Sequence, residues 1–164
     1  MARRPLSVVS SPPTEASSVL GGFLSSQPEK ISGGRRGEKI STLSAAISKA
    51  EARARSGEWG DALPPVFVGL YAVCHRLVFG VLPLELEEQA QFRLASKLAL
   101  GCLHDYFDDD GDAFASFVRW AWKREEGRAR YAREQGWDRK RMGWRLLFSA
   151  HTVTDYRAST AGAR

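Results

Sequence analysis

Residues that break α-helices divide most of this chain into short helical segments. They stand at Gly57, Pro64-Pro65, Gly80 and Gly136. Between these positions, apolar residues recur at the three- and four-residue spacing of a helix with one buried face. No long window shows the alternation of apolar and polar residues that is typical of a strand. The pattern therefore predicts an all-α fold, a small bundle of four to five helices.

The breakers also set the expected limits of each helix. We predict helices over residues 41–56, 64–79, 83 to 106 or 107, 113–135 and 139–157. Pro83 suits the first turn of the third helix, where no backbone amide hydrogen is required. Asp112 is placed to cap the fourth, because its carboxylate can accept a hydrogen bond from a free amide of the first turn. The helical domain then covers residues 41–158.

Residues 1–40 differ from the rest in composition, being rich in serine, proline and glycine. Such a segment buries too little apolar surface to offset the entropy that it would lose on ordering. We therefore expect a flexible N-terminal tail over residues 1–40, and a flexible C-terminus over residues 159–164.

The longest mostly apolar run, from residue 63 to 84, is interrupted by His75 and Arg76 and has prolines near both ends. These features predict a buried core helix and not a membrane span. Arg3 and Arg4 are not followed by the continuous apolar stretch of a secretory signal. The expected setting is cytoplasmic, with no membrane partner.

Charge is distributed unevenly along a chain whose net charge is +5. Residues 84–112 contain eight acids against Arg93 and Lys97, a net charge of −6. Residues 119–145 contain ten Lys and Arg against four acids, a net charge of +6. This separation fits a protein that offers one face to a polyanion, or one that docks onto copies of itself. Both interpretations remain open.

The basic block also carries five aromatic residues, four tryptophans and Tyr131. Cations neutralise phosphates, and rings either stack on bases or anchor the basic face to the protein. We therefore predict a non-enzymatic nucleic-acid-binding protein, regulatory or architectural, with DNA favoured over RNA. The predicted binding residues are Arg119, Trp120, Lys123, Arg124, Arg128, Arg130, Tyr131, Arg133, Arg139, Lys140, Arg141 and Arg145.

Helical geometry arranges this block into faces. One narrow stripe contains Arg119, Lys123, Glu126, Arg130 and Arg133. A second stripe beside it contains Trp120, Arg124, Arg128 and Tyr131. The far side, expected to face the core, contains Phe114, Phe117, Val118, Ala121 and Ala132. Trp122 and Trp144 are predicted to be buried as well. The two predicted helices on either side of Gly136 have the outline of a helix-turn-helix, but without the turn and apolar spacing that specify that motif.

Two alternatives to nucleic-acid binding follow from the same residues. Basic helix faces are often simply solvated. The protein can also be an interaction or assembly subunit that self-associates through its acidic and basic segments, which makes a homo-oligomer a possible partner state.

No metal site is predicted. In the acidic turn 108–112, an EF-hand needs glycine at its sixth position, and aligning Gly111 there puts Tyr106 first and Phe117 last. Neither side chain binds calcium, so only a looser cation site remains as an alternative. The pairs Cys74-His75 and Cys102-x-His104 point apart on helices, which favours buried, reduced thiols over zinc ligands.

No catalytic residue or cofactor is predicted either. Ser149, His151 and Asp155 contain the groups of a hydrolytic triad, but Ser149 faces away from the other two on a helix. We expect His151 and Asp155, four residues apart, to pair through a hydrogen bond. No phosphate-binding loop and no dinucleotide-binding fingerprint occurs.

Overall fold

The computed structural model describes residues 39–162. Its helices are α1 (Leu43–Ser56), α2 (Pro64–Phe79), a 3₁₀ helix (Leu84–Glu87), α3 (Gln89–Phe107), α4 (Gly111–Glu134), α5 (Trp144–Leu147) and α6 (Ala150–Ala161). Within that range there is no strand, which confirms the all-α bundle. Apart from Lys39 and Ile40, the predicted N-terminal tail lies outside the described residues. The predicted C-terminal segment 159–164 begins inside α6, and residues 163–164 lie outside the description.

The first two helices begin and end where the helix-breaking residues predict. Thr42 caps α1 through its hydroxyl, which accepts a hydrogen bond from the amide of Ala45 at 3.2 Å. Gly57 ends α1 in the left-handed conformation, with φ of 72°. Pro64 opens α2, and Gly80 ends it in the same way as Gly57 ends α1.

The predicted third helix is divided in two. The chain forms a 3₁₀ turn over Leu84–Glu87, becomes extended at Glu88 with ψ of 122°, and only then enters α3. The turn buries Leu86 completely and leaves Leu84 exposed. Packing of Leu86 thus decides the local conformation, and the prediction of one helix from Pro83 was wrong in this respect.

The cap of α4 is Asp110 and not Asp112. The Asp110 carboxylate accepts the amide hydrogen of Ala113 at 3.0 Å. Asp112 instead accepts the amide hydrogen of Trp59 at 2.9 Å, and so joins the loop after α1 to the start of α4. Asp112 therefore does not cap α4, because it forms a long-range hydrogen bond that the local sequence does not reveal.

The predicted helix over residues 139–157 does not exist as one helix. Residues 137–143 are not helical, α5 covers a single turn, and the chain breaks at Ser149, whose hydroxyl caps α6 by accepting the amide hydrogen of Thr152. Helix α6 continues past Arg157 to Ala161. Because there is no second helix directly after Gly136, the helix-turn-helix outline is also wrong. His151 is exposed and does not share the buried face of α5.

Helix α2 is the centre of the bundle and packs against α1, α3 and α4. It is buried on nearly every side, as predicted for a core helix. The predicted core face of α4 is confirmed, since Phe114, Phe117, Val118, Ala121 and Ala132 are all buried. Trp122 and Trp144 are buried too. No helix between residues 39 and 162 has the length and apolarity needed to cross a membrane.

The two cysteines are buried free thiols, as predicted. Burial raises the pKa of Cys102 to about 12, and burial raises the pKa of the Cys74 thiol further still. Because the thiolate is the reactive form, both side chains act as small core residues near neutral pH.

The backbones of α1 and α2 approach most closely at Gly69. A Cβ atom at this position would overlap the carbonyl group of Ala46 and lie 2.8 Å from the amide nitrogen of Ile47. A helical glycine is normally a cost to stability, but here it permits the contact between two helices. Gly101 in α3 provides the contrast, since a Cβ atom there would meet nothing within 4 Å.

We expect Gly69→Ala to lower the free energy of unfolding by about 1–3 kcal/mol, because α1 must move away from α2. Gly101→Ala is the matched control and should raise the same free energy by about 0.5–1 kcal/mol through helix propensity alone. Urea unfolding followed by circular dichroism measures both. Equal effects in the two variants would contradict the close approach at Gly69.

Candidate nucleic-acid interface

A salt bridge holds residues 137–143 against α4. We call this segment the basic loop, because it contains Arg139, Lys140 and Arg141. The Arg139 guanidinium donates to both carboxylate oxygens of Glu125, at 2.5 and 3.0 Å. The Glu125 side chain is only 3% exposed, so a buried carboxylate fixes the position of the loop. Two parallel charge-assisted hydrogen bonds give this contact a defined direction.

Further contacts fix both ends of the basic loop. At its start the amide of Trp137 donates to the carbonyl of Ala132 at 2.8 Å. Near its end Met142 is buried, and its carbonyl accepts the hydroxyl hydrogen of Tyr71 at 3.0 Å. The Arg141 guanidinium lies over the ring of Phe79, 5.5 Å from its centre. The loop is therefore anchored to α2 as well as to α4.

Three adjoining clefts follow the exposed side of α4. The middle cleft, of about 490 Å³, separates α4 from the basic loop and is lined mainly by Lys123, Arg124, Arg128, Tyr131, Trp137 and Arg139. A cleft of about 480 Å³ continues past the loop toward the end of α2 and is lined in part by Phe79, Arg133, Trp137, Asp138, Arg139 and Arg141. The third, of about 680 Å³, lies between α4 and α6 and includes Trp120, Lys123, Arg124, Asp155 and Ser159. Neighbouring clefts share lining residues and so follow one another along α4; together we call them the basic track.

Two exposed rings meet in the middle of the basic track. Tyr131 is 54% exposed and Trp137 is 60% exposed. Their ring centres are 5.6 Å apart and their planes are inclined by 80°. We call this pair the aromatic corner. Trp137 was not among the predicted binding residues; the signal for it was an aromatic residue directly after the helix-ending glycine, in a segment with three cations.

At the α6 end of the basic track, the polar groups of Trp120 and Arg124 already have hydrogen-bond partners within the protein. The Trp120 indole nitrogen donates to the hydroxyl of Ser159 at 3.3 Å, and the Trp120 ring packs against Tyr156. Arg124 lies over the Trp120 ring and donates to the Asp155 carboxylate at 3.2 Å. Trp120 is thus less accessible than Tyr131, although the sequence placed both at the edge of the basic side.

The predicted binding residues fall into two groups according to their contacts. Among the predicted binding residues, the exposed cations that form no ion pair within residues 39–162 are Lys123, Arg128, Arg130, Arg133, Lys140, Arg141 and Arg145. Four members of the set do not line the three clefts, namely Arg119, Arg130, Lys140 and Arg145. Arg119 donates to the hydroxyl of Ser116, and Arg145 lies 4.3 Å from the ring centre of Trp144. The structure therefore brings most of the predicted set together along the clefts and leaves these four outside.

Glu126 is a buried acid beside the basic track. The predicted stripe through Arg119 and Arg133 lies at the margin of the buried face, and Glu126 is the member that falls inside it. Burial raises the pKa of Glu126, while the charges of Arg130, Arg133 and Lys123 act in the opposite direction. The net rise shows that the desolvation cost of the carboxylate exceeds its attraction to these cations.

Side chains of the acidic turn, residues 108–112, form hydrogen bonds within the protein. Asp110 and Asp112 accept backbone hydrogen bonds, and Asp109 lies 3.1 Å from the Nδ1 atom of His104. The hydrogen bond to Asp109 raises the pKa of His104. No group of three His, Cys, Asp or Glu side chains in the described range is arranged to hold a metal ion. The Nε2 atom of His151 lies 3.7 Å from the Asp155 carboxylate, so the two side chains are neighbours but do not form the predicted hydrogen bond.

No protein-family model, no curated protein and no solved structure matches this chain. Functional inference therefore rests on the contacts, charges and exposure described above.

We expect Arg139→Ala to lower the free energy of unfolding by about 1–3 kcal/mol, because it leaves the Glu125 carboxylate buried without its partner. Lys140→Ala is the matched control, in the same loop but exposed and without an ion pair, and should change stability by less than about 0.5 kcal/mol. Urea unfolding followed by circular dichroism measures both variants. Similar losses in both variants would contradict the anchoring role of Arg139.

Glu126→Gln should make the protein more stable at neutral pH. The pKa of Glu126 is raised on folding, so its contribution is most favourable when it is protonated and is lost as pH rises through the folded pKa. Glutamine removes this loss, and its advantage should disappear below the ordinary glutamate pKa of about 4.3. Glu134→Gln, at an exposed position on the same helix, is the control. A stabilisation that does not vary with pH would contradict this account.

Proposed function

We propose that this protein binds nucleic acid through the basic track and does so without catalysing a reaction. The observation that carries the proposal is the group of exposed cations along α4 and the basic loop that form no ion pair within the described residues. Cations with protein partners would have to exchange them for phosphate, whereas these are available. Their neutralisation by a polyanion releases counterions, which drives binding.

The dimensions of the track also support a polyanion as ligand. From Trp120 to Arg133 the helix rises by about 20 Å, at about 1.5 Å per residue. One strand of a duplex carries a phosphate for about every 3.4 Å of helix axis, so this length spans several of them. A single small anion would use only part of the charge. DNA remains favoured over RNA in the proposal, and a cytoplasmic setting remains the expected one.

We expect the double variant Arg128→Gln/Arg133→Gln to weaken nucleic-acid binding at least tenfold and to lower the slope of log affinity against log salt by about 1–2. The matched control, Arg93→Gln/Lys97→Gln, removes the same charge from an exposed face of α3 and should leave both quantities almost unchanged. Fluorescence anisotropy of labelled DNA at two salt concentrations measures them. Equal effects in the two double variants would contradict the proposed binding site.

Self-association is the second candidate function. Its specific observation is a set of exposed acids without ion pairs in the described part of the chain, namely Glu85, Glu87, Glu88, Asp105 and Asp108. Leu84, beside the first three, is 70% exposed, whereas Asp105 and Asp108 lie at the opposite end of α3. The acids of one copy would meet the basic track of another. Light scattering against salt separates the candidates, because only self-association predicts an oligomer that dissociates as salt rises without nucleic acid present.

A further inference from the structure

The aromatic corner makes the proposed ligand more specific. On the basis of the proposed function, we infer that the basic track takes a single strand and that an unpaired base stacks against Tyr131 and Trp137. Both rings are more than half exposed, although an exposed ring leaves apolar surface in water. Every base presents a flat face to such rings, and base–aromatic stacking is tolerant of sequence.

The geometry of the corner suits one flat ligand. With planes inclined by 80°, the two rings meet edge to face and do not cover each other's outer surfaces. A base that stacks on one ring therefore has its edge against the other. Trp137 also belongs to the basic loop, whose position is fixed by Arg139 and Met142. The backbone that carries the ring is anchored before binding, so less conformational freedom is lost when a base arrives than for a free loop.

Cations on both sides of the aromatic corner indicate the path that a bound nucleic-acid strand would follow. Trp137 lines both the middle cleft and the cleft toward α2. Lys123 and Arg128 line the first, and Arg133 lines the second. A strand that passes the corner therefore has a phosphate-binding cation before the stacked base and another after it, the arrangement typical of single-strand grooves.

A duplex does not make the same contacts. Its bases are paired and stacked, so their faces are closed to the aromatic corner. A helix that reads a duplex must enter the major groove, which requires it to protrude. Here the basic loop and α6 flank α4 and form clefts along it. Duplex binding through these cations would be electrostatic and would leave the rings unused.

The test compares labelled oligothymidine of about 12 nucleotides with a duplex of the same length, by fluorescence anisotropy at two salt concentrations. The wild-type protein should bind the single strand more tightly. Tyr131→Ala/Trp137→Ala should weaken single-strand binding about tenfold, leaving its salt slope and the duplex affinity unchanged. Tyr131→Phe/Trp137→Phe is the matched control and should retain most of the affinity, because it keeps both rings.

The outcomes separate this inference from the proposed function. If duplex binds as tightly as the single strand, or if the alanine variant weakens both ligands equally, the stacking site is refuted while nucleic-acid binding stands. If the wild-type protein binds neither ligand at low salt, the proposed function itself fails. Circular dichroism of the variants guards against misfolding, which exposed positions should not cause.

Tryptophan fluorescence gives an independent readout. Trp59, Trp122 and Trp144 are buried, and Trp120 is partly covered by Tyr156. Stacking of a thymine should therefore quench the emission of Trp137 above all. In Trp137→Phe the quenching by oligothymidine should largely disappear while the anisotropy titration is nearly unchanged. Undiminished quenching in that variant would show that the strand contacts another tryptophan, and would overturn the assignment.

Discussion

The ion pair between Glu125 and Arg139 shapes the surface on which the functional proposals rest. Without it, residues 137–143 would have no charged contact with α4, and the middle cleft would lose one of its walls. The carboxylate is buried and the guanidinium is partly open to solvent. Such an arrangement contributes direction more than net stability, because the cost of desolvating the charges offsets much of their attraction. Arg139 is therefore a positioning residue, and the cations that form no ion pair are the better candidates for phosphate binding.

Two neighbouring acids on α4 have opposite consequences for the basic surface. Glu125 has a guanidinium partner and fixes a loop. Glu126 has cations near it, yet burial still raises its pKa. In its ionised form Glu126 also reduces the positive potential of the adjoining track. Bound phosphate would compete with Glu126 for the same cations, so ligand affinity and the protonation of this residue are coupled.

The sequence predicted the fold class and the buried face of α4 because both follow from local periodicity. It failed where distant contacts decide the backbone. Arg139 and Met142 belong to a stretch with good helix formers, but their contacts with Glu125 and Tyr71 hold it in a non-helical loop. The cations of the binding set were predicted from their charge and their place on a helix, which do not distinguish paired cations from unpaired ones. The role of Trp137 could not be predicted from the sequence, because only the folded chain places its ring beside Tyr131.

The core beneath the basic loop explains why a loop can serve as a rigid wall. Trp122 packs against Tyr71, His75 and Phe79, and Phe79 in turn supports the Arg141 guanidinium. The side chains of the basic loop thus lie over a buried part of the bundle. A surface of this kind loses little freedom on binding, so more of its stacking and charge energy appears as affinity. The same rigidity favours a flat, unpaired base over a ligand that needs the groove to adapt.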